Sequence, residues 1–405
     1  MKAAIISLGC PKNLTDSEVL MGKLSCSGYE IIEDPKKADL IVINTCAFLK
    51  ASRDEAYSVI KQANKIKKKD AKIYIAGCLP KLLGKQANTL TSQQADGIIE
   101  SIDLFDSHTP RIKATNPWTA FVKVSEGCNN RCAYCLIPTI RGRLKNRPIE
   151  DIIEEVKSLA NRGVKEIIYV AQDTTAHPDF PALLHKTALI DGIHWIRAMY
   201  THPAHVTTEL INVMQNDEKV VKYIDLPIQH ICDKILKGMK RKVFRKDIIN
   251  LIGNLRTKIP GLTIRTSIIV GFPGETKKDF DELVDFLEGV KLERLGVFKF
   301  SREEGTPASK MRGQVPEKVK NSRFHKLMAL QKRISRERNK KMVGSVIEVL
   351  IERQLSGYSI GRASFDAPEI DGSVKVLGSA HKVGEFVSAR VTKALDYDLV
   401  ANAIT

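Results

Sequence analysis

Residues 1 to about 114 alternate short apolar runs with amphipathic stretches. KAAIISLG reads as a strand and DSEVLMGKLS as a helix. DLIVINT is a strand, SRDEAYSVIKQANKIKKK a helix and KIYIAG a third strand. Strands alternating with helices predict a parallel α/β sheet. The alternation resumes at 115. TAFVKVS, EIIYVAQ, WIRAMY, YIDLPIQ, TIRTSIIVGF and LGVFKFS are strands, with helical stretches such as EDIIEEVKSLANR and KDFDELVDFLEGV between them. Six such units predict a partial (β/α)6 TIM-like barrel, whose active residues sit on loops at the C-terminal strand ends. Beyond about 342 the period shortens. VIEVLIERQ, YSIGRAS, GSVKVLG, EFVSARVTKAL and YDLVANAI read as strands of a small antiparallel β-barrel. The expected domains are 1–114, 115–337 with a basic helical linker at its end, and 338–405.

The pattern also places the cysteines. Cys128, Cys132 and Cys135 stand as Cys-x3-Cys-x2-Cys in SEGCNNRCAYC, just after the first barrel strand. Three thiolates at this spacing can hold three irons of a four-iron cluster and leave the fourth iron open. A structural zinc is the competing reading, but it normally takes four protein ligands, and the fourth would have to come from afar. Cys10, Cys46 and Cys78 each follow one of the first three strands. In an open parallel sheet those ends form the ligand crevice, so the fold should gather the three. The competing reading is three separate core cysteines. Cys26, inside a helix pattern, and Cys232 read as packing residues.

At 405 residues and 43% hydrophobic, the chain can bury a sizeable core. Its net charge of +17 points to a polyanionic neighbourhood such as RNA or a ribosome. The opening MKAAIISLGCPKN lacks the apolar run of a signal peptide, and no stretch reaches the roughly 18 apolar residues of a membrane helix. A cytoplasmic site follows, where the eight cysteines stay reduced and read as ligands. Residues 310–341 hold twelve Lys and Arg against Glu317 and Glu337, which reads as a solvated face or an RNA contact. The tail from 342 has six basic and eight acidic residues, a charge of −2. An RNA-gripping module should be basic, so this tail better suits a basic protein as its partner. It should be needed for docking and dispensable for chemistry at the cysteine triplets.

The triplet SEGCNNRCAYC resembles that of the radical S-adenosylmethionine (SAM) enzymes, with Tyr134 as the aromatic residue before the last cysteine. The resemblance implies that the open iron chelates SAM. One electron then splits it to methionine and a 5′-deoxyadenosyl radical, with the Tyr134 backbone against the adenine. Two cysteine triplets on adjacent α/β domains, followed by a TRAM-like or OB-like barrel, are similar to the methylthiotransferase family along essentially the whole chain. That resemblance implies two [4Fe-4S] clusters, the second on Cys10, Cys46 and Cys78 and carrying the donated sulfur. Pro138, Arg141 and Gly142 fall in family positions. AQDTT places Gln172 and Asp173 at the barrel mouth and DLPIQH places Gln229 there, while Ser267, Ile269 and Gly271 in SIIVGFPGET fall where the superfamily lines its SAM pocket; with Tyr134, the resemblance implies Gln172, Gln229, Ser267, Ile269 and Gly271 as the SAM-binding residues. SLGCPKNLTDSE, AQDTT and DAPEIDG are more similar to the branch that modifies an aspartate β-carbon in ribosomal protein S12 than to the tRNA branch. AHPDF and LKNRP depart from the family pattern near the substrate entrance. The implied partners are protein S12, possible within the small subunit, and an electron donor such as flavodoxin or ferredoxin. The alternatives are a tRNA methylthiotransferase and a non-catalytic metal protein of the ribosome.

Overall fold

The computed structural model describes residues 1–99, 108–378 and 381–404. The N-terminal unit is an all-parallel sheet of β1 (Lys2–Ser7), β2 (Glu30–Ile31), β3 (Leu40–Thr45), β4 (Lys72–Gly77) and β5 (Gly97–Ile98). Their spatial order is β2-β1-β3-β4-β5. The three strands read from the sequence are there, and two-residue strands flank them at either edge. Helix α1 (Pro11–Cys26) follows β1, and α2 (Lys50–Ile66) follows β3.

The central unit is a six-stranded parallel sheet in sequence order: β6 (Thr119–Lys123), β7 (Glu166–Val170), β8 (Trp195–Ala198), β9 (Val220–Asp225), β10 (Thr263–Val270) and β11 (Arg294–Lys299). All six expected strands form. Side chains alternate across the pleat. Ile167, Tyr169, Ile224, Ile264 and Ile268 join the core under the helices α3 (Ile149–Asn161), α4 (Phe180–Ala188), α5 (Thr208–Asn216), α6 (Arg245–Lys258) and α7 (Lys277–Val290). Phe121, Ile168, Val170, Val221 and Tyr223 face the opposite, inner side.

The basic stretch at 310–341 is not a free linker. Helix α8 (Glu317–Lys341) packs on the central sheet. Its Lys320 and Arg323 are buried; Lys320 Nζ donates to Phe300 O at 2.9 Å, and Arg323 Nη1 to Glu275 Oε1 at 2.8 Å.

The tail closes into a barrel of β12 (Val346–Leu355), β13 (Tyr358–Ala363), β14 (Val374–Leu377), β15 (Phe386–Ala394) and β16 (Leu399–Ala403). One ladder in it, between β14 and β16, is parallel. The barrel docks on the inner face of the central sheet. Leu350, Ala367 and Phe386 pack with Trp118, Trp195 and Tyr223, and the Trp195 and Phe386 rings meet edge to face at 4.8 Å. An ion pair and two hydrogen bonds reinforce the contact. Arg294 Nε donates to Asp366 Oδ1 at 2.7 Å, Tyr223 OH to Asp371 Oδ2 at 2.7 Å, and Arg197 Nη1 to Ser364 O at 2.9 Å. The tail therefore plugs the N-terminal end of the partial barrel, which leaves the C-terminal strand ends for chemistry.

Candidate active site

The first cysteine triplet leaves the end of β6. The chain turns at Gly127, whose φ of +77° suits glycine; a Cβ there would stand 2.2 Å from Arg143 O. Three backbone hydrogen bonds pin the loop: Cys128 N–H to Gly142 O at 3.1 Å, Ala133 N–H to Met239 O at 2.9 Å and Ala308 N–H to Ala133 O at 2.8 Å. All eight cysteines are free. Burial pushes the Cys135 thiol up to about 12, with Cys132 and Cys128 adding to it against the Ile137 N–H. Such a crowded thiol keeps its proton until a cation replaces it, as metal-site cysteines do.

The other three cysteines stand at strand ends of the N-terminal sheet. Cys10 caps α1 after β1, Cys46 follows β3 and Cys78 follows β4. Gly9 makes room for the group: at φ +95°, a Cβ would lie 2.8 Å from Cys46 Cβ. Burial raises the Cys10 thiol, but Lys12, the Asn13 and Lys12 backbone N–H groups and Arg141 outweigh it and bring it below its ordinary value. Burial raises Cys78, opposed by Arg141, and the nearby Cys46 and Cys10 raise it further.

Geometry bears on what these thiols can hold. The ligand atoms of one tetrahedral zinc stand about 3.8 Å apart, given Zn–S bonds near 2.3 Å. Among the described residues, neither triplet brings its three sulfurs within 4.8 Å of one another. A multi-iron cage spaces its thiolates more widely than a single ion does, so this spacing leaves room for such a cage.

The residues expected around SAM gather at the same C-terminal strand ends. Tyr134 and Ile269 pack with Ala133, Phe272 and Phe300 beside the first triplet. Burial raises the Tyr134 hydroxyl against the pull of Arg241. Ser267 and Ile269 share a face of β10 with Arg265, and all three are only partly covered. Gln172 follows β7 and donates from Nε2 to Glu126 Oε1 at 3.3 Å, while its Oε1 is buried without a partner. Gln229 follows β9 in a left-handed conformation, φ +70°, and bridges to β10 through Ser267 O and Ile269 N–H. Gly271 is turned elsewhere: a Cβ would strike Lys320 of α8, and its N–H donates to Glu275 Oε2 at 2.5 Å. Its part is to let the chain turn under α8. Asp173 binds Asn130 of the cysteine loop at 2.6 Å and lies 2.8 Å from His205 Nδ1. His202 stands close by and accepts the Ala204 N–H through Nδ1 at 3.1 Å, which puts its proton on Nε2. The trio ties the loop to the barrel mouth.

The sequence did not reveal how α1 joins the two triplets. Asn13, Asp16, Ser17 and Glu18 are all buried. Lys123 Nζ donates to Asp16 Oδ1 at 2.6 Å. Arg141 donates to Asp16 Oδ2 at 2.8 Å, to Asn13 Oδ1 and to Cys78 Sγ at 3.2 Å. The N-terminal crevice is thereby clamped against the barrel mouth. A signal was present: a cluster of polar residues on a helix that directly follows Cys10. Cys26 corrects the reading of the sequence, for it is exposed at the last residue of α1; Cys232 is buried, as expected.

Fold and site define a radical SAM enzyme with an added N-terminal crevice and a C-terminal β-barrel. Residues 122–287 match the Radical SAM superfamily, 2–99 the uncharacterized protein family UPF0004 and 343–404 the TRAM domain. The fold resembles the radical SAM methyltransferase TsrM of Kitasatospora setae, with TM-score 0.56, 14% identity, and 76% of this chain and 74% of that one covered. The chain is 41% identical to the ribosomal protein uS12 methylthiotransferase RimO of Desulforamulus reducens, covering 98% of each. It is 40% identical to that of Clostridioides difficile, covering 100% of this chain and 99% of the other. It belongs to the RimO family of ribosomal protein uS12 methylthiotransferases.

Proposed function

We propose that this chain adds a methylthio group to the β-carbon of an aspartate in ribosomal protein S12, using SAM. Full-length kinship with the uS12 methylthiotransferases carries this reading. The two cysteine triplets clamped across one barrel mouth by Asp16 and Arg141 support it. In this reading Cys128, Cys132 and Cys135 hold the cluster that binds SAM, and Cys10, Cys46 and Cys78 hold a second. Tyr134, Gln172, Gln229, Ser267 and Ile269 line the SAM pocket. When bound, the clusters and SAM supply one-electron cleavage, hydrogen-atom removal from carbon and the transferred sulfur.

The chain's own residues hold the geometry. Hydrogen bonds from Cys128, Ala133 and Ala308 fix the loop, Lys123 and Arg141 fix the crevice above it, and the tail excludes water from below. Holding reacting groups in register is itself a large part of catalysis. A small reductase such as flavodoxin or ferredoxin delivers the electrons in the cytoplasm. No helix among the described residues is long and apolar enough to cross a membrane.

The test offers the anaerobically reconstituted enzyme protein S12 in one tube and anticodon-stem tRNA in another. Iron should approach about eight per chain, four for each triplet. Replacing Cys10, Cys46 and Cys78 together by Ala should halve the iron and abolish methylthio transfer, while SAM cleavage persists. A methylthio mass gain on an aspartate supports the reading. Modification of a tRNA adenosine with the protein untouched would sink it.

A further inference from the structure

One cation at the joint between the two triplets differs from its neighbours. Lys123 and Arg141 meet Asp16, Arg111 meets Glu18 and Arg265 meets Asp225. Lys12 is as buried as these, at 8% exposure, yet among the described residues no carboxylate lies within ion-pair distance of its Nζ. Its Nζ sits 3.2 Å from the centre of the Tyr200 ring. Tyr200 follows β8 and is held at φ +59°, a backbone conformation unfavourable for tyrosine, with its N–H donating to Asp225 Oδ2 at 3.0 Å. Asp225 ends β9, and its second oxygen is taken by Arg265 at 3.0 Å. Lys12 is thus two residues past Cys10, over the barrel mouth, with the nearby carboxylates committed elsewhere.

A buried ammonium without an anion is costly, and a face-on aromatic ring offsets only part of that cost. The arrangement suits a site completed by an incoming anion. Resting on the function proposed above, we propose that Lys12 is the recognition residue for the side-chain carboxylate of the target aspartate. The carboxylate carbon is bonded to the β-carbon, so an ammonium that grips the carboxylate fixes the reacting carbon between the triplets. The cation–π contact keeps the ammonium aimed before substrate arrives. A neutral asparagine at the same place cannot form the ion pair and leaves Lys12 unpaired, so the site discriminates by charge. The competing role for Lys12 is to balance negative charge on a group held by Cys10.

The experiment compares two S12-derived peptides, one with the target aspartate and one with asparagine in its place, on the fully reconstituted enzyme. The readouts are kcat/KM for methylthio transfer and iron per chain. The wild type should prefer aspartate by about tenfold to a hundredfold, the range for losing one partner of a charged contact. Lys12→Met should erase that preference, mainly through KM, and keep its iron. Lys12→Arg should retain part of the preference. If Lys12→Met does not fold, Lys12→Gln against Lys12→Arg carries the same comparison. A preference that survives removal of the charge overturns the assignment. So does loss of iron with the residual preference intact, since that outcome makes Lys12 a charge balancer. A wild type inert toward both peptides strikes the functional reading itself, a result distinct from either.

Discussion

Arg362 of the C-terminal barrel and Glu166 at the start of β7 form an ion pair from which water is fully excluded. Arg362 Nη1 donates to Glu166 Oε1 at 3.1 Å, and Arg197 Nε reaches the same oxygen at 3.1 Å. The two cations outweigh burial and hold the Glu166 carboxyl below its usual range. Breaking a buried pair on one side leaves an uncompensated charge. Arg362→Met should therefore cost about 3 kcal/mol, read from urea denaturation. A cost within about 0.5 kcal/mol would mean that the barrel is only loosely attached.

Removing residues 342–405 should do more than weaken docking of the substrate. It strips Arg294, Arg265 and Glu166 of partners and exposes the inner face around Trp195 and Tyr223. The truncated chain should aggregate or melt early, and SAM cleavage should fall with it. Light scattering and 5′-deoxyadenosine formation measure both. A soluble truncation that still cleaves SAM at the full rate would restore the view of the tail as a separable module.

Gly9→Ala tests the second triplet without touching a cysteine. Its φ of +95° disfavours alanine, and the added methyl meets Cys46 Cβ at 2.8 Å. Cys46 must shift, so iron should fall from about eight toward about four per chain. Unchanged iron would show that Cys46 has room to move or is not a ligand.

Acid should destabilise the fold through two histidines. Burial holds His230 at about 3 against the pull of Asp279, and burial with Arg241 holds His202 at about 3 against Asp173. Unfolding returns both to about 6.5, so between these values the unfolded chain binds the extra protons. Their contribution is complete above about pH 6.5 and falls as pH drops, by up to about 1.4 kcal/mol per unit for each. Urea midpoints at pH 7.5, 6 and 5 should step down in order, and His230→Gln should flatten the trend. A midpoint that rises on acidification would contradict this burial.

The six central strands and the three cysteine-bearing strand ends were legible because each is a β-branched or aromatic run bounded by polar turns. The tail barrel was legible for the same reason. Edge strands such as Glu30–Ile31 were not, since two residues carry no period. Charge misled most. Two of the eight acidic residues, Asp366 and Asp371, and one of the six basic ones, Arg362, turn inward to the central sheet, so the sum of −2 overstates the negative charge of its surface. Lys320 and Arg323 looked solvated and are buried. On α1, Lys12 and Asp16 read as ordinary polar positions, because their neighbours come from more than 100 residues away. A one-dimensional pattern reports local period well and remote pairing poorly.

The docking of the tail has a consequence for how the chain is made. Glu166 and Arg362 are 196 positions apart, and Arg294 waits 72 positions for Asp366. Synthesis runs from the N-terminus, and domains fold as they emerge. The central sheet is complete well before its counter-charges have been translated. Until the barrel emerges, the nascent chain holds Glu166, Arg265 and Arg294 on an open inner face. Maturation therefore waits on the β-barrel: the catalytic cavity gains its floor only after residues 346–403 have been made.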